Sequence, residues 1–332
     1  MAPSYILVTG ATGFIGAHVV DVLLGRGLKV RGATRSPAKG EAMLQARPEF
    51  SSKLDFVKVE DFENGGSFED AIKDIDAVVH IASPFTYDTT DNMKELIIPA
   101  INGVRAILTA ATNSRVQRIV ITSSFAAVMD INRKTSPYFT YTAEDWNPLT
   151  YEEATDPDTN AVVAYRGSKK FAELEAWTFV KENKCSFDIV TLCPPMTFGP
   201  VVHPVEKVDD LNESNAMLWK VASGRNLPAA RVPFWVDVRD LAEAHVQALL
   251  KPEVGNKRLV VAAPDHYSYG LAAAIIVKNF EEMRYNISKE EQLVDESHGL
   301  DGETASKVLE IKYRRFEETV VDLVSQVRKM KE

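Results

Sequence analysis

Apolar residues fall along this chain in two alternating rhythms. Runs such as Tyr5-Ile6-Leu7-Val8-Thr9 are continuously hydrophobic and partly β-branched, as strands covered on both faces are. After that run, Phe14, Ile15, Val19, Val20, Leu23 and Leu24 recur at helical spacing. The same reading predicts strands at 29–34, 54–59, 77–81, 118–123 and 188–192, the last ended by Cys193-Pro194-Pro195, and long helices at 93–112 and 161–183. Strand and helix in steady alternation predict an α/β, doubly wound parallel sheet. The last third mixes helices around 212–222, 268–284 and 316–330 with a returning strand at 258–262. The expected organisation is therefore a main domain of 1–193 plus about 230–262, and a smaller, discontinuous C-terminal lobe of about 194–229 and 263–332.

The turn between the first strand and helix reads Gly10-Ala11-Thr12-Gly13-Phe14-Ile15-Gly16. A glycine turn opening a helix suits a dinucleotide pyrophosphate, because the free N–H groups of the helix N-terminus face the anion and no side chain blocks its approach. The choice of nicotinamide is read at the end of the second strand, where NAD-specific proteins place an acid for the ribose hydroxyls. Here the strand runs into Thr34-Arg35-Ser36-Pro37-Ala38-Lys39 without one. Arg35 offers a planar fork to phosphate oxygens and Lys39 a second charge, so the expected cofactor is NADPH/NADP+.

Composition narrows the class further. The 332 residues are 45% hydrophobic with a formal net charge of −9, a balance that disfavours binding to nucleic acid. No apolar run looks long enough for a bilayer and no basic stretch precedes the first strand, so a cytoplasmic protein without a membrane partner is expected. Cys185 and Cys193 lack metal-ligand spacing and read as reduced thiols in or near the core.

The candidate chemistry lies in Tyr165-Arg166-Gly167-Ser168-Lys169. Four residues apart on a helix, Tyr165 and Lys169 share a face. A lysine cation there favours the phenolate of a tyrosine whose ordinary pKa is about 10, easing proton transfer. Ile119-Val120-Ile121-Thr122-Ser123-Ser124 is a strand running into two serines. In a doubly wound sheet its carboxyl end faces the cofactor crevice, where a serine can donate to a carbonyl oxygen.

Together these segments resemble the dihydroflavonol-4-reductase-like branch of the extended short-chain dehydrogenase/reductases, and within it the fungal NADPH-dependent aldehyde and methylglyoxal reductases. The resemblance covers nearly the whole chain. It includes His80-Ile81-Ala82-Ser83-Pro84-Phe85, Pro99-Ala100-Ile101-Asn102-Gly103-Val104, Thr122-Ser123-Ser124-Phe125, Asp145-Trp146-Asn147-Pro148, the Tyr165 to Glu173 segment, Phe198-Gly199-Pro200 and Val236-Asp237-Val238-Arg239-Asp240.

The resemblance implies a Rossmann fold and a catalytic trio of Ser124, Tyr165 and Lys169, with Ser124 chosen over Ser123 as the second serine of the Thr-Ser-Ser segment. It also implies pyrophosphate contacts from Gly10, Gly13, Phe14, Ile15 and Gly16, and 2′-phosphate contacts from Arg35 and Lys39. Asp61 and Phe62 would lie by adenine, Ala82 and Ser83 by the nicotinamide, and Pro194 by its carboxamide. Tyr165 and Lys169 would also touch the cofactor. The doubled Pro194-Pro195 departs from the family pattern, which puts the pocket floor in question.

Pocket candidates are Phe85, Phe125, Tyr138, Met196, Trp219, Phe234 and Trp235, largely aromatic, which favours a neutral, fairly apolar carbonyl substrate. The expected activity is a stereoselective NADPH-dependent carbonyl reductase, working as a monomer or homodimer. Two alternatives stand beside it: a sterol- or sugar-nucleotide-type dehydrogenase or epimerase of the same superfamily, and a noncatalytic dinucleotide sensor.

Overall fold

The computed structural model describes residues 3–83, 89–134, 137–224, 226–230 and 232–330. The strands are β1 (Tyr5–Thr9), β2 (Lys29–Thr34), β3 (Leu54–Lys58), β4 (Ala77–His80), β5 (Arg118–Thr122), β6 (Phe139–Tyr141), β7 (Asp188–Cys193), β8 (Met196–Phe198), β9 (Trp235–Asp237), β10 (Arg258–Val260) and β11 (His298–Leu300). The helices are α1 (Phe14–Gly25), α2 (Pro37–Gln45), α3 (Glu69–Ile72), α4 (Ile98–Thr112), α5 (Tyr151–Thr155), α6 (Ala161–Glu182), α7 (Glu213–Ala222), α8 (Val238–Leu250), α9 (Tyr269–Asn279), α10 (Glu303–Leu309) and α11 (Phe316–Lys329).

Seven strands form one parallel sheet in the order β10-β7-β5-β4-β1-β2-β3. The chain winds outward from β1 to β3, then returns to build the other half from β4. The strand order therefore reverses between β1 and β4, and a crevice opens beyond their carboxyl ends. Alternation along β1 shows why the run is apolar throughout: Ile6 and Val8 join the core under α1 and α8. Tyr5 and Leu7 join the opposite core with Phe68, Ile107 and Ile189.

The long helix expected at 93–112 opens with a wider turn at Met93–Ile97 before becoming α4. It corrects one expectation, because Met93–Thr112 is long and apolar enough, at a mean hydropathy of 1.2, to cross a membrane. Half of it is buried within the protein. Ala100, Val104, Ile107, Leu108 and Ala111 belong to the core beside the sheet, and α4 also packs on α6, so two faces of the helix must be apolar. The helix expected at 268–284 ends instead at Asn279, where α9 gives way to a separate short turn, Glu281–Met283.

Two short parallel pairs, β8 with β9 and β6 with β11, lie outside the main sheet. Sequence pattern missed them because three residues are too few to show a period. The C-terminal helices α7, α9 and α11 share a core with Phe198, Trp235 and Tyr267. In α11, Phe316, Val320, Leu323, Val324 and Val327 supply the apolar stripe.

Candidate active site

The glycine turn uses its three glycines for different reasons. Gly10 has φ +68°, and a Cβ there would lie 3.0 Å from the Ala82 nitrogen. At Gly16 a Cβ would lie 2.0 Å from the Gly10 carbonyl oxygen, so glycine is needed for the helix to fold against the turn. Gly13 differs: its Cβ would meet only the Gly10 oxygen at 3.4 Å, an ordinary contact. The surface at Gly13 is thus left open to a close approach from outside. Gly13 is also the N-cap of α1, with no side-chain cap and no acid in the first turn. The positive helix end is thus kept for an anion, and these residues fit a dinucleotide pyrophosphate, with Phe14 and Ile15 supplying first-turn N–H groups.

Across the crevice, β4 ends on His80, buried beside β1. Thr9 Oγ1 accepts from the backbone N–H groups of Ile81, at 3.0 Å, and Ala82, at 3.1 Å, and lies 3.0 Å from His80 Nδ1. With both lone pairs taken, the Thr9 hydroxyl donates to Nδ1, which assigns the ring proton to Nε2. Burial first, then the nearby Lys169 cation, pushes the His80 pKa down to about 4 and keeps the ring neutral. Thr9 and His80 thereby hold Ala82 and Ser83 at the strand end, a role sequence reading missed because it needs β1 and β4 side by side.

The two serines after β5 have opposite hydrogen-bonding duties. Ser123 Oγ donates to Glu173 Oε2 at 2.6 Å, since a carboxylate only accepts. Ser124 Oγ accepts from Ala126 N at 3.1 Å, as the cap of the short turn Phe125–Ala127. That bond uses a lone pair and not the Ser124 proton, which remains available to an oxygen in the crevice. Both serines are buried.

Helix α6 starts at the Asn160 cap, whose Oδ1 accepts from Val162 and Val163 N–H. Tyr165 and Lys169 follow on one face, both half-buried, with the Lys169 Nζ 5.6 Å from the Tyr165 ring centroid. Lys169 Nζ also donates to Ser83 Oγ at 2.8 Å, which joins α6 to the end of β4. Loss of solvation lowers the Lys169 ammonium to a pKa of about 8. Gly167 lets α5 approach, since a Cβ would lie 2.4 Å from Ala154 Cβ. Arg166 donates to the Met129 carbonyl and α6 packs on the Phe125–Ala127 turn, bringing Tyr165, Lys169 and Ser124 to one side of the sheet.

At the end of β2, Arg35 and Lys39 are exposed, and among the described residues neither forms an ion pair. Ser36 caps α2 by accepting from Lys39 N at 3.4 Å. Asp61 accepts from Glu63 N at 2.8 Å and so shapes the turn after β3. Phe62 packs edge-on against Phe68, at 5.4 Å between centroids, on the rim of a core cluster.

Of the pocket candidates, Phe125 and Met196 are half-buried against one small cluster that includes Val128, Cys193, Phe234 and Val260. Pro194 meets them, its carbonyl accepting from Phe125 N at 3.0 Å. Trp219 packs in the C-terminal core, Tyr138 is exposed, and Phe85 lies outside the described residues. Phe234 and Trp235 are corrected from pocket to core: both are fully buried, and Trp235 Nε1 donates to the Asp265 carbonyl at 2.8 Å. Both cysteines are free thiols, with Cys193 buried and its pKa raised chiefly by burial.

Residues 6–263 match the model of the NAD dependent epimerase/dehydratase family. The chain is 40% identical over 330 residues to an uncharacterized oxidoreductase of Schizosaccharomyces pombe, covering 98% of each. It is 36% identical to the NADPH-dependent methylglyoxal reductase Gre2 of Saccharomyces cerevisiae, again covering 98% of each. The crystal structure of yeast methylglyoxal/isovaleraldehyde reductase Gre2 complexed with NADPH superposes with a TM-score of 0.87 at 33% identity, covering 98% of this chain and 99% of that one. A matched family model over residues 6–263, a closely superposing fold and similarity along the full length converge, and the chain belongs to the NAD dependent epimerase/dehydratase family.

Proposed function

We propose that this protein is an NADPH-dependent carbonyl reductase that converts small, fairly apolar aldehydes or ketones to alcohols. The observation that carries the reading is the meeting of an uncapped pyrophosphate turn with Ser124, Tyr165 and Lys169 at the carboxyl edge of one sheet. Full-length similarity to a relative named as an NADPH-dependent methylglyoxal reductase supports the substrate class and the cofactor.

Gly10, Gly13, Gly16 and the first turn of α1 would hold the pyrophosphate, Arg35 and Lys39 the 2′-phosphate, and Ala82, Ser83 and Pro194 the nicotinamide end. A nicotinamide held there would supply the hydride that the carbonyl carbon takes up. Ser124 donates its free proton to the carbonyl oxygen and fixes its place. Tyr165 delivers the proton that completes the alcohol, and the Lys169 charge beside it favours the phenolate left behind. Lys169, which donates to Ser83 Oγ at 2.8 Å, would also be a donor for a ribose hydroxyl of the cofactor. Phe125 and Met196 would supply apolar walls, both packed against the cluster of Val128, Cys193, Phe234 and Val260.

The test is NADPH oxidation with methylglyoxal, isovaleraldehyde, an aryl ketone and a β-keto ester, repeated with NADH. Turnover with NADPH far above NADH is expected. A protein that binds NADPH and reduces none of these compounds would overturn the reading.

A further inference from the structure

Behind the candidate trio lies a buried carboxylate that the mechanism does not use. Glu173 is 1% exposed and sits one turn beyond Lys169 and two beyond Tyr165 on α6. Its Oε1 accepts from Thr191 Oγ1 at 2.7 Å and from Arg258 Nε at 2.8 Å, with Trp177 Nε1 at 3.4 Å. Its Oε2 accepts from Ser123 Oγ at 2.6 Å and from an Arg258 terminal nitrogen at 3.2 Å, while the Cys193 thiol lies within 3.6 Å. One side chain therefore ties the catalytic helix to β5, β7 and β10 at once. Arg258 extends the tie, donating to the carbonyls of Ala143 and Asp145 and lying 3.7 Å from the Trp146 ring centroid.

We infer that Glu173 is a positioning residue for the reaction proposed above: it sets the height of α6 against β5 and turns the Ser123 hydroxyl inward, so that of the two serines only Ser124 presents a proton to the crevice. The chemistry of the carboxylate carries this. Because it has acceptors only, Ser123, Thr191 and Arg258 must all donate to it, and each hydrogen bond has one permitted direction. An amide at this place would turn one acceptor into a donor. Either Ser123 or Thr191 would then have to reverse, releasing its proton elsewhere and loosening α6 from β5 or β7.

The inference rests on the reductase reading, and wild-type turnover separates the two: an inactive wild type sinks the reading, while the inference is judged only against an active one. The experiment compares wild type with Glu173→Gln and Glu173→Gln/Arg258→Gln for kcat, KM, NADPH affinity by fluorescence titration, and thermal unfolding. Glu173→Gln leaves the Arg258 charge buried and unpaired, so lowered stability is expected. Removing both charges should restore the unfolding temperature. Positioning predicts that kcat nevertheless stays at least tenfold below wild type in the double variant, with NADPH affinity within about threefold. If kcat returns together with stability, Glu173 is only a structural ion-pair partner and the inference is overturned. Should neither variant fold, Ser123→Ala/Thr191→Val removes the two directed bonds and keeps the ion pair. A tenfold loss of kcat there upholds the inference and an unchanged kcat overturns it.

Discussion

The two ends of the same parallel sheet treat their polar groups in opposite ways. At the amino end of the strands, charge is matched within the fold. Asp76 accepts from Ser4 N, Ser4 Oγ and Tyr5 N and pairs with Arg115 at 2.8 Å. Arg118 forms a two-pronged pair with Asp188, at 2.6 and 2.9 Å, and caps the carbonyls of Ala248 and Pro252. A 480 Å³ cleft at this end is lined by Lys29, Arg31, Lys53 and Arg115. It looks like an anion site until their partners are traced: Arg31 and Lys29 face Asp55, Lys53 donates to the Gly27 carbonyl, and Arg115 holds Asp76.

At the carboxyl end, the α1 N-terminus has no side-chain cap, Arg35 and Lys39 reach solvent, and Ser124 keeps its proton. Groups already engaged at one end build the fold, and groups left open at the other are the ones the proposed reaction uses.

The sharpest way to break this comparison is at Tyr165. Tyr165→Phe should lower kcat by about 10²-fold to 10⁴-fold, the usual worth of a general acid, while NADPH binding measured by fluorescence stays nearly unchanged. Equal activity would move the chemistry away from this edge. At the opposite end, Arg118→Ala should cost roughly 3 kcal/mol in urea unfolding, because Asp188 loses its partner and buried carbonyls lose a donor. The kcat of the folded fraction should not change, and a specific loss of turnover would end the division of labour between the ends.

The glycine turn offers a contrast within one loop. Gly16→Ala should destabilise by about 1–3 kcal/mol through overpacking, read as a lower unfolding midpoint. Gly13→Ala should leave the midpoint nearly unmoved and weaken NADPH by about tenfold or more, since a factor of ten is roughly 1.4 kcal/mol of lost contact. The reverse pattern would mean that Gly13 serves the fold.

The smallest effect is expected with pH. The Lys169 ammonium titrates near 8, so raising pH through that value removes the positive charge beside Tyr165, and kcat/KM for NADPH should decline above it. In Lys169→Arg, whose guanidinium stays charged up to about pH 12, the decline should move to higher pH. An unchanged alkaline limb in that variant would assign the titration to another group.

Much of this organisation was legible before any fold was known. Continuous apolar runs announced strands buried on both faces, a glycine turn at a strand-to-helix junction announced the anion site, and Tyr165 and Lys169 shared a helix face by spacing alone. These are local properties, written in the periods of strand and helix, and local sequence carries them fully. What needed three dimensions was the allocation of hydrogen bonds among distant residues. Ser123 and Ser124 are alike as letters, and only the approach of Glu173, 50 residues further on, distinguishes the one that donates inward from the one left free. Phe234 and Trp235 read as pocket aromatics until packing enclosed them, Phe234 in the cluster of Val128, Cys193 and Val260 and Trp235 in the core of the C-terminal helices. The sequence by itself thus determined the sheet, the glycine turn at its centre and the residue types gathered at its carboxyl edge. Tertiary structure alone decided which polar groups were already satisfied, because burial and hydrogen-bond direction depend on partners brought together across the fold.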